Sequence, residues 1–203
     1  VSDRSKWEQR MRLITIGMMF RREMLDLTGI SDYGFFHEFS EDDWCIRIRR
    51  AGYKLMLCGD TVVYHDHDFR NIESKNQIEF EESLRIGRKN YKEKYNGLDA
   101  WDDVNNFERE LIKMMKYTPK SESLSTIGID VKMGTPILEI KNYLTKRGVE
   151  NHYLNAYTTQ AKYYLDLQTI CNGAVYCDRI DHIIDYYNSN TFDYVILVEP
   201  INL

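Results

Sequence analysis

Three consecutive acidic residues form the grouping in this sequence that is most able to do chemistry. Glu41, Asp42 and Asp43 follow Ser40 and precede a run with helical spacing that ends at Gly52. The positive end of a helix dipole stabilises carboxylates at the helix N-terminus. A carboxylate held there can act as a general base and remove a proton from an attacking hydroxyl. Composition alone favours the plainer interpretation, in which the acids cap the helix and are solvated.

Histidine and aspartate alternate a little more than twenty residues later. His65 and His67 are interleaved with Asp66 and Asp68, directly after an apolar run. If strand geometry continues, the two imidazoles share one face and the two carboxylates the other. Such groups suit Mn²⁺ or Zn²⁺, but at least two further ligands would have to come from elsewhere. An isolated His-x-His is a weak signal, and the pattern by itself favours a surface loop.

The surrounding pattern predicts the elements that position these residues. Predicted strands cover 13–20, 55–58 and 61–64, and predicted helices cover 21–27, 40–51, 77–95 and 104–115, with Ser40 as the N-cap of the second helix. The third helix has five expected inward positions: Ile78, Phe80, Leu84, Ile86 and Tyr91. Five aromatic residues near the acids either line a cleft or pack the edge of a sheet: Tyr33, Phe35, Phe36, Phe39 and Trp44.

A polar segment with one of only three prolines predicts a linker at 119–123, between units at 1–118 and 124–203. The second unit reads as strand 127–131, helix 137–144, strand 152–154, helix 158–170 and strand 192–198. This alternation predicts a doubly wound α/β layer. About 80 residues are few for a complete doubly wound sheet, so we expect an incomplete unit with an open edge that invites pairing with a second copy.

Composition excludes several classes of protein. The chain of 203 residues is 43% hydrophobic, which excludes global disorder, and its net charge of −5 gives no footprint for nucleic acid. We expect no transmembrane segment, because no apolar run approaches the length that spans a bilayer. Four widely spaced cysteines are expected to be free thiols. A cytoplasmic location follows, with a membrane-peripheral position left open.

Four segments taken together resemble a known family. They are GMMFRRE (17–23), TGISDYGFF (28–36), SEDDWCIRIRRAGY (40–53) and GDTVVYH (59–65). In this order they are similar to the C-terminal half of the catalytic domain of family-two nucleotide-diphospho-sugar glycosyltransferases, over about residues 11–95. The resemblance implies a partial GT-A-type fold, followed here by a small Rossmann-like α/β unit. It also implies inverting sugar transfer, as part of surface polysaccharide or glycan synthesis.

The same resemblance implies roles for individual residues. Matched through Cys45 and Arg47, the family's Glu-Asp pair falls on Ser40 and Glu41. In a register shifted by one residue it falls on Glu41 and Asp42. The base is therefore Asp42 or Glu41, and Asp43 is a supporting acid. His65 matches a metal-binding position for Mn²⁺ or Mg²⁺.

The resemblance also implies partners and a missing half. The partners are a nucleotide-sugar donor and a glycan or a protein- or lipid-linked acceptor. The family's nucleotide-binding half, with its D-x-D motif, would precede Val1. We therefore expect a piece of a longer protein that is inactive by itself.

The second unit is similar, more weakly, to class I S-adenosylmethionine methyltransferases, at 129–141 and 192–203. The glycine-rich loop of that family is reduced to Gly134 between Lys132 and Pro136, and no ribose-binding acid occurs around Asn155. We expect a degenerate domain that does not bind S-adenosylmethionine. Two alternatives to glycosyl transfer remain, namely methyl transfer by this unit and a non-catalytic module for assembly or acceptor recognition.

Overall fold

The computed structural model describes residues 3–14, 16–30, 32, 34–35, 39–64, 74–102, 123–188 and 190–198. The chain divides into two compact units, Val1–Ala100 and Trp101–Leu203. The predicted helix 104–115, the four residues from His65 to Asp68 and most of the predicted linker lie outside the described residues.

The first unit combines a small sheet with helices. Its described elements are a 3₁₀ turn at Arg4–Lys6, β1 (Trp7–Arg10), α1 (Arg22–Thr28), α2 (Ser40–Arg50), β2 (Leu55–Cys58) and α3 (Ser74–Lys94). β1 and β2 pair antiparallel, with Trp7 opposite Cys58 and Arg10 opposite Leu55. The predicted positions of the four later elements are confirmed to within a few residues.

The core of this unit lies between α1, α2 and β2. Five buried side chains form it: Met24, Trp44, Cys45, Ile48 and Leu55. The α2 members follow helical spacing, so one face of α2 is apolar and packs on its neighbours. The Trp44 indole donates a hydrogen bond to Thr28 Oγ1 at 3.3 Å, and the Phe20 ring contacts Trp44 edge to face. Burial of these groups fixes the position of α2 along its axis and its rotation about that axis.

Two predicted strands of the first unit are wrong. The described residues of 13–20 form no strand, and neither do residues 61–64. Gly17 has a φ of +72°, a left-handed conformation that interrupts extended backbone, and Met19 is 94% exposed. The strand that does pair with β2 is Trp7–Arg10, which is mostly polar. Pairing with β2, and not local apolar content, therefore decides which segment is extended.

Two finer predictions about helices are also corrected. Ser40 is the first residue of α2, and Phe39 precedes it in a left-handed conformation with no side-chain capping bond. On α3, Tyr91 is buried as expected and Leu84 is half-buried, but Ile78, Phe80 and Ile86 are exposed.

The second unit is a four-stranded parallel sheet flanked by helices, which confirms the α/β class. Its described elements are β3 (Ser123–Ile129), α4 (Thr135–Lys146), β4 (Asn151–Thr158), α5 (Ala161–Ile170), β5 (Val175–Cys177), a 3₁₀ turn at Ile180–His182, α6 (Ile183–Asn188) and β6 (Tyr194–Leu197). The strand order is β5-β4-β3-β6. Within this unit the first strand, β3, lies in the middle of the sheet, and later strands are added on both sides of it.

Both faces of this sheet are covered. Leu124 packs with Ile140 and Leu144 of α4, whereas Ile127 and Ile129 pack with Ile183 of α6. Even- and odd-numbered residues of one strand point to opposite faces, which explains the two separate clusters. The predictions missed the short β5 and α6. β6 is an edge strand, and its Val195 and Leu197 are exposed.

A buried histidine makes the stability of the second unit depend on pH. His152 on β4 is 6% exposed, and its Nε2 lies 2.6 Å from Thr126 Oγ1. Its Nδ1 has no hydrogen-bond partner among the described residues. Burial first, and then the charge of Lys141, lowers the pKa of His152 from 6.5 to about 4, while Asp193 opposes the shift. The ring is therefore neutral at pH 7.

We predict that acidification destabilises this unit through His152. Between pH 6.5 and 4 the unfolded chain takes up a proton that the folded chain does not, so stability falls as the pH falls. The loss from pH 7 to pH 5 should be about 2 kcal/mol. His152→Gln removes this dependence, so the variant should lose correspondingly less in urea unfolding followed by circular dichroism. Equal losses in the two proteins would contradict the assignment.

Candidate active site

The three consecutive acids occupy the first turn of α2. Phe39, which is 1% exposed, adopts a φ of 67° just before the helix, and Asp43 N donates to Phe39 O at 2.9 Å. Three arginines, at 47, 49 and 50, lie in the last turn. Acids at the start and bases at the end both complement the helix dipole. The turn therefore tolerates three adjacent carboxylates, and their surroundings give them different roles.

Asp43 is fully buried and its two oxygens are bound by three donors. Arg47 Nε donates to Oδ2 at 2.9 Å. Lys94 Nζ and the Tyr95 hydroxyl both donate to Oδ1 at 2.6 Å. Burial first, and then the Asp43 carboxylate, raises the pKa of Tyr95, so this hydroxyl keeps its proton and remains a donor. A carboxylate so enclosed holds the structure together and is not available to a substrate.

Arg47 extends this network to the loop after α1. Its Nη1 donates to the carbonyl of Thr28, and its Nη2 donates to the carbonyl of Ile30 at 3.4 Å. These carbonyls lie at the end of α1, where a helix leaves acceptors unsatisfied. Asp43 therefore orients Arg47, and Arg47 fixes the exit from α1.

Asp42 is also buried and paired. It is 6% exposed, and its Oδ1 accepts a hydrogen bond from Arg12 Nη1 at 2.9 Å. The neighbouring residue, Leu13, donates its backbone N–H to Cys45 Sγ at 3.3 Å. The segment at 12–13 thus lies along α2 and covers Asp42.

Glu41 is the acid of the three that reaches the surface. It is half-buried, and the Ser40 hydroxyl donates to its Oε2 at 3.2 Å. Within the part of the chain that the structure describes, no cationic side chain pairs with Glu41. Its carboxylate can therefore accept a proton without the loss of an ion pair.

The aromatic residues near the acids pack inside the unit. Phe35 and Phe39 are buried and contact Tyr91 of α3, with ring centroids 6.3 and 5.9 Å apart. Trp44 belongs to the core. These three residues are packed inside the unit, but Phe35 and Phe39 pack on a helix and not on the edge of a sheet as expected. Tyr33 and Phe36 lie outside the described residues.

The predicted metal site rests on sequence alone. His65 is outside the described residues. Across residues 3–64, 74–102 and 123–198, with the gaps given above, no three His, Cys, Asp or Glu side chains come together in a way that could hold a metal ion. We therefore assign no step of a reaction to a metal.

In the second unit, the carboxyl ends of the parallel strands form the edge of the sheet at which α/β sheets of this kind bind ligands. Asp130, with a φ of 46°, follows β3 directly. Its Oδ1 accepts from Thr159 N at 2.7 Å and from the Thr158 hydroxyl at 3.3 Å, and its Oδ2 accepts from the Thr159 hydroxyl at 2.9 Å. This carboxylate joins the ends of β3 and β4. The link was not predicted from the sequence, because its partners lie almost thirty positions apart.

These residues do not fit S-adenosylmethionine. Gly134 is needed for the packing of α5, because a Cβ there would lie 2.4 Å from Ile170 Cδ1. The end of β4 offers threonines and the buried Tyr157, whose hydroxyl donates to the carbonyl of Arg179 at 2.7 Å. The sequence has no acid directly after β4, and the Asp130 carboxylate that reaches this end of the strand is already bound by Thr158 and Thr159. We derive no step through this cofactor, and its absence from the chemistry stays a prediction.

Comparison with models of known protein families, with curated proteins and with solved structures finds no match to this chain. Among the described helices, none is both long enough and apolar enough to cross a membrane.

We predict that Asp43→Asn destabilises the first unit by about 3 kcal/mol, because it leaves Arg47 and Lys94 without their buried counter-charge. Urea unfolding followed by tryptophan fluorescence measures the loss, since Trp44 lies in the same core. Glu23→Gln is the control, because Glu23 pairs with Arg21 on the surface and its side chain is 61% exposed. Unfolding of Asp43→Asn at the same urea concentration as the control would contradict this account.

We also predict that the protein does not bind S-adenosylmethionine. Isothermal titration should show no saturable heat up to about 1 mM cofactor, an affinity of about −4 kcal/mol or weaker. Saturation at micromolar concentration would contradict the interpretation of Asp130 and Gly134.

Proposed function

We propose that this chain carries the acceptor side of an inverting glycosyltransferase with a GT-A-type fold, with a nucleotide-diphospho-sugar as the donor. The four sequence motifs that follow one another in the family's order between residues 17 and 65 support the proposal. One structural observation supports it further: of the three acids in the first turn of α2, two are buried in ion pairs and Glu41 remains accessible.

The proposed reaction is a single in-line displacement. The acceptor hydroxyl transfers its proton to the Glu41 carboxylate while its oxygen bonds to the anomeric carbon of the donor sugar. The bond between that carbon and the diphosphate oxygen breaks, and the nucleoside diphosphate leaves with the electron pair. One displacement inverts the anomeric centre. A general base of this kind contributes roughly 10²–10⁴-fold to the rate.

The ion pairs of Asp42 and Asp43 support one of the two registers. Removal of a proton by Asp42 would neutralise the carboxylate that holds Arg12. Protonation of Glu41 breaks no ion pair within the described residues. This favours the register in which the family's Glu-Asp pair falls on Ser40 and Glu41, with Asp43 as the supporting acid.

We predict that Glu41→Gln lowers kcat about 10³-fold and leaves the free energy of unfolding nearly unchanged. Asp42→Asn is the matched variant, and we expect it to lose more stability than Glu41→Gln while it keeps most of its turnover. The assay measures nucleoside diphosphate release and acceptor glycosylation in a longer polypeptide, one in which the proposed nucleotide-binding half precedes this chain.

Two results would overturn the proposal in different ways. Loss of turnover in Asp42→Asn but not in Glu41→Gln would make Asp42 the base. Sugar transfer that survives both substitutions would exclude this helix from the chemistry and favour a role in assembly or acceptor recognition.

A further inference from the structure

One ammonium group joins the loop before α2 to the buried acid on α2. Lys94, at the end of α3, places its Nζ 2.5 Å from Asp32 Oδ2 and 2.6 Å from Asp43 Oδ1. The Asp43 side chain is 1% exposed, whereas that of Asp32 is 43% exposed. Lys94 is therefore a bridge between the interior and a partly exposed loop.

The same end of α3 holds the loop at further points. Asn90 Nδ2 donates to the carbonyl of Gly34 at 2.9 Å. The Phe35 ring packs on Tyr91, and Lys94 Nζ lies 5.5 Å from the centroid of the Phe35 ring. Residues 90 and 94 are four apart, so they share one face of α3. That face therefore fixes the path of the described loop residues 32, 34 and 35.

This loop leads directly into the first turn of α2. Its start is held by Arg47 through the carbonyls of Thr28 and Ile30. Its end is Phe39, whose buried ring contacts Tyr91 immediately before Ser40 and Glu41. The end of α3 thus holds both Phe35 of the loop and Phe39, which lies two positions before Glu41.

We propose that Asp32, Gly34 and Phe35 belong to one wall of the acceptor subsite and that Lys94 is the residue that positions them. The inference rests on the proposed function. Lys94 acts through Asp32 and touches no reacting atom. The Asp32 carboxylate, partly exposed and charged, is the group on this wall that would accept hydrogen bonds from the hydroxyls of a saccharide acceptor.

The alternative is that Lys94 only contributes stability, and the test has to separate the two roles. Lys94→Met removes the bridge, and Lys94→Arg keeps its charge. Lys89→Met is the matched control, because Lys89 lies on the same helix, is 65% exposed and pairs with Glu93 at 3.6 Å.

The first measurement is amide hydrogen exchange in this chain. In Lys94→Met the amides of Gly34 and Phe35 should exchange about tenfold faster relative to those of α2, which corresponds to about 1.4 kcal/mol of local opening. They should be unchanged in Lys89→Met and largely restored in Lys94→Arg. Equal acceleration of the loop and α2, or no acceleration, overturns the positioning role.

The second measurement is steady-state kinetics in the longer polypeptide. Lys94→Met should raise the acceptor KM about tenfold with little change in donor KM, and Lys94→Arg should restore it. A merely structural lysine would lower the active fraction and leave both KM values unchanged, which would overturn the inference. Wild-type turnover with an unchanged acceptor KM in Lys94→Met overturns the inference alone. Absence of wild-type sugar transfer overturns the proposed function and this inference with it.

Discussion

The first unit depends on the burial of one carboxylate, Asp43. A charge with 1% exposure is tolerated only if donors surround it, and here Arg47, Lys94 and Tyr95 supply them. Arg47 lies on α2, and Lys94 and Tyr95 lie at the end of α3. Arg47 binds the exit of α1, and Lys94 binds the loop that follows. One buried charge therefore sets the relative positions of α1, α2, α3 and the loop between the first two.

This constraint also separates structure from chemistry among three adjacent acids. Asp42 is paired with Arg12, and Asp43 is paired with Arg47 of the same helix and with Lys94 of α3. The helix start therefore does not carry three uncompensated charges. Glu41 is left half-buried at the positive end of α2, without a cationic partner among the described residues. The proposed base thus owes its availability to the pairing of its neighbours. Sequence alone shows three equivalent acids and leaves open which of Glu41 and Asp42 has this role.

Local patterns were enough for the elements that carry strong periodic signals. The acids, the apolar stripe and Gly52 predicted α2, and the alternation of strands and helices predicted the parallel sheet. Local sequence patterns failed where pairing with a distant segment decides the secondary structure. The segment Trp7–Arg10 is mostly polar and becomes a strand because it pairs with β2. The described residues of the apolar segment 13–20 form no strand. The link from Asp130 to Thr158 and Thr159 joins residues almost thirty positions apart, which no local pattern reports.

The most direct test of the account is a crystal structure with a non-transferable donor analogue and a saccharide acceptor, of a polypeptide in which the proposed nucleotide-binding half precedes this chain. The distance to measure runs from the acceptor hydroxyl oxygen to the nearest carboxylate oxygen. The account predicts that this carboxylate is Glu41, at about 2.6–3.2 Å, with Asp42 still bound to Arg12. An acceptor hydroxyl bound instead by Asp42, or one far from the start of α2, would contradict it.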